Sequence, residues 1–396
     1  MSLPRPGVLA LLGLVLASLL PSNASAIPAF ARRYKLSCQV CHDPFPKLTA
    51  FGEQFAGNGF RMASGEEPRD TIATGDETLA LVKDLPLALR LDLYAQGYAN
   101  GKAAGDFQGP YGLKVLSGGP ISKSISYYFY TFLLERGEVG GVEDALVMFN
   151  DIGKAPVDLI VGQFQVSDPL FKRELRLEFE DYAVYRARLG DVPVDLTYDR
   201  GIMAMADVAG FTLTGQVLNG NGIGAAQPDR RFDVDASKNV FLHLTRDLVP
   251  QLRLGTFGYY GRSHGNGTTN KTRMLAVDGT ISLGPVEVNG QYIHRRDDEP
   301  TYTLGEPEAR LNGGFGEVIL RPANSRFYGF ALYNLVTANR PVLDVRLGGP
   351  AGIRRYESIS GGIGHLVQRN FKVSGEVTYD VGQELTRVTL GIVTAF

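Results

Sequence analysis

The sequence has little net charge, no tryptophan and no long apolar run beyond its N-terminal end. Lys and Arg number 40 against 42 Asp and Glu, and this balance argues against a basic nucleic-acid-binding face. Beyond residue 26, no run approaches the roughly 18 apolar residues that a transmembrane helix needs. The hydrophobic content of 44% is too high for a disordered chain.

Glycine and aromatic residues are abundant instead. The 396 residues include 48 glycines, 18 tyrosines and 21 phenylalanines, and the glycines follow no collagen period. Because Tyr and Phe favour strands and glycine is frequent in turns, the composition predicts a β-rich protein.

The first 26 residues have the features of an export signal. Arg5 gives a positively charged start, an apolar run occupies 8–20, and Ala24-Ser25-Ala26 is a small-residue cleavage site. The run is too short to span a bilayer as a helix. We expect residues 1–26 to be a signal peptide cleaved after Ala26, with a short retained anchor as the alternative.

Both cysteines lie in the run Cys38-Gln39-Val40-Cys41-His42. In a C-x-x-C-H run the two thiols can form thioether bonds to one porphyrin, and the histidine becomes the proximal ligand of the iron. The run therefore predicts one covalently bound haem c, attached through Cys38 and Cys41 with His42 on the iron. The alternatives are a redox dithiol, a structural disulfide, or half of a zinc site.

The haem segment is short. Residues 27–82 are few for a self-standing domain, so this segment is expected to lean on a larger partner for burial. Leu48, Phe51, Phe55 and Phe60 follow the motif at loosely helical intervals and are candidates to cover the porphyrin. Residues 64–78 are predicted to be a linker.

Residues 83–396 alternate between apolar and polar positions. From Leu87 onward, leucines at odd positions are interleaved with Arg90, Asp92 and Gln96. A soluble sandwich would also alternate, but both of its apolar faces need a cover that this chain does not supply. The pattern predicts an outer-membrane barrel of sixteen antiparallel strands that contacts lipid. A seventeenth segment, 182–189, would break the alternation of long and short connections, so we assign it to a loop.

That assignment makes residues 166–197 the third outer loop. In sixteen-stranded porins, to which the pattern is similar, the third loop folds into the lumen and narrows it. A solvated surface loop of mixed charge is the alternative. The last alternating segment ends in Phe396, which resembles the signal that the outer-membrane assembly machinery recognises.

The residues around the haem motif resemble a known family. The runs IPAFAR (27–32), FPKLTAFG (45–52) and GF (59–60) are similar to the fused outer-membrane cytochrome–porins of iron-oxidising bacteria. The resemblance implies a small monohaem cytochrome followed by a sixteen-stranded porin. It also implies single-electron transfer across the outer membrane, from extracellular Fe(II) or another reduced donor.

One haem cannot bridge the whole membrane, so a periplasmic c-type cytochrome is expected as the electron acceptor. The distal iron ligand is open: Met62 follows the motif closely, His243 has lumen-facing parity, and Met203 and Met205 share that parity. An open or water-ligated iron is the further alternative. The carboxylates Asp297, Asp298, Glu299, Glu306 and Glu308 fall in one outer loop and are candidates for an Fe(II) encounter.

Two other functions remain open. One is a passive porin whose haem segment acts as a plug, and the other is a haem-based small-molecule reductase. Whether the protein is an enzyme is open; if it is one, it is an oxidoreductase acting on Fe(II).

Overall fold

The computed structural model describes residues 29–396 except 70, 77, 80, 84, 100–104 and 346–350. The predicted signal peptide, residues 1–26, lies outside the described residues. Within them, no helix is both long enough and apolar enough to cross a bilayer.

The N-terminal segment consists of three short helices, α1 (Ala29–Tyr34), α2 (Cys38–Cys41) and α3 (Ala50–Gly57). Thr49 caps α3, since its side-chain oxygen accepts a hydrogen bond of 3.1 Å from the Gly52 amide. After α3 the chain contains no regular element within the described residues until Leu87. A small helical segment before the barrel agrees with the prediction.

Sixteen long antiparallel strands form one closed barrel. They are β1 (Leu87–Tyr98), β2 (Asp106–Pro120), β3 (Ile125–Glu135), β4 (Val142–Phe149), β5 (Val157–Gln165), β6 (Tyr198–Val208), β7 (Phe211–Leu218), β8 (Asn239–Val249), β9 (Leu252–Gly265), β10 (Thr268–Leu283), β11 (Val286–Asp297), β12 (Ala309–Leu320), β13 (Phe327–Ala338), β14 (Arg355–Gln368), β15 (Phe371–Asp380) and β16 (Leu385–Ala395). A two-residue strand, Glu138–Val139, belongs to the β3–β4 hairpin.

The barrel closes between its first and last strands. β1 pairs with β2 on one side and with β16 on the other, and the Leu89 amide donates to the Phe396 carbonyl at 2.7 Å. This closure leaves no free sheet edge, as a spanning barrel requires. The predicted strand number and barrel class are confirmed.

Side chains alternate between the lumen and the outer surface. On β16, Val388, Leu390 and Ile392 are exposed on the outside, whereas Thr389 and Val393 are buried. An exposed apolar outer face on a closed barrel is a lipid-facing surface.

Residues 166–197 fold into the lumen, so the first of the two predicted alternatives is correct. The loop contains the helix α4 (Ala183–Arg186) and a three-residue strand, Ala187–Leu189, that pairs with Leu343–Val345 inside the barrel. Arg295 of the wall is buried and donates hydrogen bonds to the loop carbonyls of Val194 (2.8 Å) and Ala187 (3.2 Å). The segment 182–189 is therefore not a wall strand.

Candidate functional site

The C-x-x-C-H run lies on α2 and the residue that follows it. Both cysteines are free thiols and half-buried. The His42 amide donates to the Cys38 carbonyl at 2.8 Å, and His42 Nδ1 lies 2.7 Å from the Pro46 carbonyl oxygen. This contact fixes the tautomer in which Nδ1 carries the proton, so Nε2 is the nitrogen available to a metal. Burial lowers the pKa of His42, which keeps the imidazole neutral.

The position of α2 depends on one glycine of α3. A Cβ atom at Gly52 would lie 2.3 Å from the Cys41 carbonyl oxygen, which is closer than any real contact. The Thr49 side chain adds a hydrogen bond of 2.7 Å to the Val40 carbonyl. The run FPKLTAFG thus supplies both a helix cap and the close approach that holds the two cysteines in place.

An aromatic cluster packs between this segment and the barrel wall. Phe30 stacks on Phe60 with ring centroids 4.6 Å apart, and Phe60 stacks in turn on Tyr128 of β3 at 5.5 Å. Phe55 is buried against both Tyr34 and Phe60. Two of the four predicted covering residues, Phe55 and Phe60, are therefore core residues of the segment. Phe51 packs against them, and Leu48 lines the cavity described below.

The segment sits in the mouth of the barrel where the connections are short. On one side of this mouth, the side-chain amide nitrogen of Asn150 donates a hydrogen bond of 3.0 Å to the Gly57 carbonyl. On another side, Lys47 forms an ion pair of 2.7 Å with Glu287, and Arg321 contacts the same carboxylate at 3.0 Å. In porin-like barrels the short turns are periplasmic, so this is the periplasmic mouth.

A cavity of about 910 Å³ extends from the cysteines into the lumen. Cys38, Cys41 and His42 line one end of it, and the inward loop forms part of its boundary through residues such as Phe171 and Tyr182. A haem group is flat, is largely apolar apart from its two propionates and is about the size of a drug-like ligand, so a cavity of this volume can enclose it. The two thiols, the free imidazole nitrogen and the aromatic cluster fit that cofactor.

The two predicted distal ligands lie in different surroundings. Met62 is 41% exposed and is not among the residues that line the cavity. His243 lies on β8, is 2% exposed and lines the same cavity as His42. Its Nε2 atom is 3.1 Å from Asp278 Oδ2. A Cβ atom at Gly255 would collide with both members of this pair, so the glycine provides their space.

Two methionines of β6 also face the cavity, as their parity predicts. Met203 is buried in the apolar core formed by the wall and the inward loop, and Met205 packs against that core. Both thioethers are therefore near the cavity, although only His243 has a carboxylate partner that fixes its orientation.

Charged side chains hold the inward loop to the wall. Lys114 lies between two carboxylates, at 3.1 Å from Asp92 and 3.0 Å from Glu174 of the loop. The Tyr130 hydroxyl donates to the same Glu174 at 3.0 Å. Within the loop itself, Asp181 is paired with Arg173 and Arg186. Sequence alternation places Asp92 and Lys114 in the lumen, but it does not indicate which loop residue each one meets.

The carboxylates of the acidic outer loop are each engaged by the protein. Asp298 pairs with Arg273 at 2.8 Å, Glu306 with Arg340 at 3.1 Å, and Glu308 with Arg310 at 2.8 Å. Asp297 is buried against Arg295 at 2.7 Å, and Glu299 accepts from the Gly305 amide at 3.4 Å. Among the described residues, no three His, Cys, Asp or Glu side chains converge as a metal site. The loop therefore offers no preformed metal centre.

Solved structures match the barrel. An anion-selective porin from Comamonas acidovorans is 11% identical with a TM-score of 0.58, and the match covers 79% of this chain and 99% of that one. The fold is that of an outer-membrane porin.

Two further solved structures are also similar to the barrel. OmpT of Vibrio cholerae is 10% identical with a TM-score of 0.55, covering 79% of this chain and 99% of that one. The channel DcaP of Acinetobacter baumannii is 9% identical with a TM-score of 0.55, covering 79% and 97%. No protein-family model and no curated protein matches the sequence. Together with the lipid-facing surface, this likeness places the porin-like barrel in the outer membrane.

Proposed function

We propose that this porin-like barrel is an outer-membrane cytochrome–porin fusion that carries single electrons across the membrane. Cys38 and Cys41 would hold one haem c covalently, with His42 as the proximal ligand. The observation that carries the proposal is that a C-x-x-C-H run, with one imidazole nitrogen left free, faces a haem-sized cavity at the barrel mouth. When bound, the haem supplies an iron that accepts and releases one electron.

The remaining residues of the segment prepare the site. Pro46 holds His42 in the tautomer that an iron ligand needs. The cluster of Phe30, Phe55 and Phe60 excludes water from one side of the cavity. A water-poor setting holds a redox potential within a narrow range.

We propose His243, rather than Met62, as the second iron ligand. His243 shares the cavity with His42, and Asp278 contacts its Nε2 atom, so Nδ1 is the nitrogen that would bind the iron. Met62 is exposed outside the cavity lining. A ligand from the barrel wall would make the porin part of the cytochrome.

The donor is proposed to be extracellular Fe(II), and the acceptor a periplasmic c-type cytochrome. One electron leaves Fe(II), which becomes Fe(III), and one electron reaches the periplasmic protein. The location of the C-x-x-C-H run at the periplasmic mouth supports the second transfer. Because the outer-loop carboxylates are already paired, a transient encounter with Fe(II) is more consistent with the geometry than a bound metal.

Stopped-flow absorbance of the oxidised holoprotein tests the proposal. Mixing with Fe(II), at acidic and at neutral pH, is expected to produce the bands of reduced haem rapidly. The double variant C38S/C41S should lose covalent haem, as judged by mass and by haem staining after denaturation. A holoprotein that dithionite reduces but Fe(II) does not would remove Fe(II) as the donor and leave the cytochrome.

The porin fold itself favours a second candidate, a passive porin with a haem-bearing plug. However, the inward loop occupies the lumen and the N-terminal segment sits in its periplasmic mouth, and both features favour low ion flow. Single-channel conductance separates the two functions. A small-molecule reductase requires an open iron position, which a six-coordinate spectrum would exclude.

A further inference from the structure

One edge of α2 is open to the solvent at the periplasmic mouth. Ser37, Gln39 and Val40 are exposed, and Val40 shows 37% of its surface. Cys38 and Cys41 line the cavity on the other side of the same helix. The candidate cofactor site therefore lies directly behind a solvent-exposed edge.

Three exposed basic residues surround this edge, and we call them the basic edge: Lys35, Arg326 and Arg369. Lys35 lies three residues before Cys38 in the sequence. Arg369 lies in the β14–β15 turn next to Asn370, which lines the same cavity as Cys38. Arg326 donates to the Val367 carbonyl beside the same turn at 3.4 Å.

No described carboxylate forms an ion pair with any of the three. The nearby carboxylates have other partners: Asp43 lies 3.9 Å from Arg321, and Glu53 lies 3.8 Å from Arg253. Within the described residues, the three cations of the basic edge are thus exposed and are not neutralised by an ion pair.

We infer that the basic edge is the docking surface for a redox protein that carries a carboxylate-rich patch around its own cofactor. The inference rests on the proposed electron-transfer function. It adds which surface the partner contacts and which charge that surface carries. Opposite charges steer diffusional encounter without a large interface, which suits a partner that must leave after each electron. Weak electron-transfer complexes have small interfaces of this kind.

The test uses two reductants of the oxidised holoprotein. Reduced flavodoxin is an acidic protein whose flavin spectrum differs from that of haem, and hexaammineruthenium(II) is a small cation. In each reaction one electron passes to the iron, which goes from ferric to ferrous. An edge that exchanges electrons does so in both directions, so reduction reports on the same surface.

We expect flavodoxin to reduce the haem quickly at low ionic strength and more slowly as salt is added, because salt screens the attraction. The triple variant K35Q/R326Q/R369Q should slow flavodoxin about tenfold at low salt and should not slow hexaammineruthenium(II). The control K154Q removes a free lysine from the β4–β5 turn of the same mouth, five strands away around the wall, and should change neither rate.

Three results would overturn the inference. The first is an unchanged flavodoxin rate in the triple variant, and the second is an equal loss in K154Q. The third result would show that the basic edge binds anionic lipid instead. In that case phosphatidylglycerol nanodiscs would raise the unfolding temperature of the parent but not of the triple variant, and the flavodoxin rate would be the same in both. If the purified protein contains no covalent haem, its absorbance spectrum shows this before any rate is measured. That result counts against the proposed function and not against the docking surface.

Discussion

At the scale of single residues, Gly52 decides whether α3 can approach the two cysteines. The variant G52A would place a methyl group 2.3 Å from the Cys41 carbonyl oxygen, so the helices must separate. Overpacking of this kind costs about 1–3 kcal/mol. We expect covalent haem to be incorporated less completely, and the haem absorbance to be lost at a lower temperature.

Gly57 provides the matched control for this substitution. It ends the same helix, and a Cβ atom there would have nothing within 4 Å. The variant G57A should therefore incorporate haem as the parent does. Equal behaviour of the two alanine variants would show that the contact between Gly52 and Cys41 is unimportant.

His243 and Met62 make opposite predictions for the iron. We expect H243A to convert a six-coordinate, low-spin haem into a five-coordinate or water-ligated one and to change its midpoint potential. M62L should leave the coordination and the midpoint potential of the haem iron unchanged, because Met62 is not among the residues that line the cavity. Optical and electron paramagnetic resonance spectra report the spin state. A change in M62L or in M205L alone would assign the ligand to that methionine.

The positions of some of these residues can be predicted from the sequence, for a physical reason. The C-x-x-C-H run is local, so its geometry depends on five adjacent residues. His243 could be placed in the lumen because side chains alternate along a strand. The distance in sequence from His42 to Met62 limits only how far the chain can reach, and it carries no information on which way the side chain faces.

At the scale of elements, the inward loop depends on Arg295. The variant R295A removes the hydrogen bonds to two loop carbonyls and the buried partner of Asp297. Breaking a buried ion pair costs about 3–5 kcal/mol. We expect the loop to loosen and single-channel conductance in planar bilayers to rise several-fold.

The neighbouring residue supplies the comparison. Arg296 is on the same strand but faces outward, where it contacts His294 at 2.9 Å. R296A should leave conductance unchanged. If both variants conduct like the parent, the loop is held by its other contacts, such as those of Glu174 with Lys114 and Tyr130.

Alternation predicts the wall strands because each has one lipid face and one lumen face. The same reasoning cannot predict the pairing of Ala187–Leu189 with Leu343–Val345, since three residues show no period and the partners are far apart in the chain. It also leaves open how the loop lies in the lumen. That position depends on ion pairs such as Lys114–Glu174, which join distant segments.

At the scale of the whole molecule, Glu287 joins the N-terminal segment to the barrel. It accepts from Lys47 of the segment and from Arg321 of the wall, and Arg321 also donates to the Asp43 carbonyl at 2.8 Å. The variant E287Q leaves two cations facing each other. A hydrogen bond to a charged group contributes about 1.5–3 kcal/mol, so we expect the segment to detach more often.

Limited proteolysis measures this detachment. Cleavage of the N-terminal segment should be about tenfold faster in E287Q, which corresponds to about 1.4 kcal/mol. Glu357 is an outer-end carboxylate paired with Arg355 at 2.6 Å, and E357Q serves as the control. Equal cleavage in the parent and in E287Q would mean that other contacts, such as the aromatic cluster and the hydrogen bond from Asn150 to Gly57, hold the segment.

The closure of β1 against β16 has a consequence for the order of maturation. The N-terminal segment precedes β1, and its seat is built from turns that come together only when the last strand has paired with the first. Until then Cys38 and Cys41 stand in the oxidising periplasm as an accessible dithiol. Attachment of the proposed haem must therefore compete with disulfide formation. Which of the two reactions occurs is decided before β1 pairs with β16.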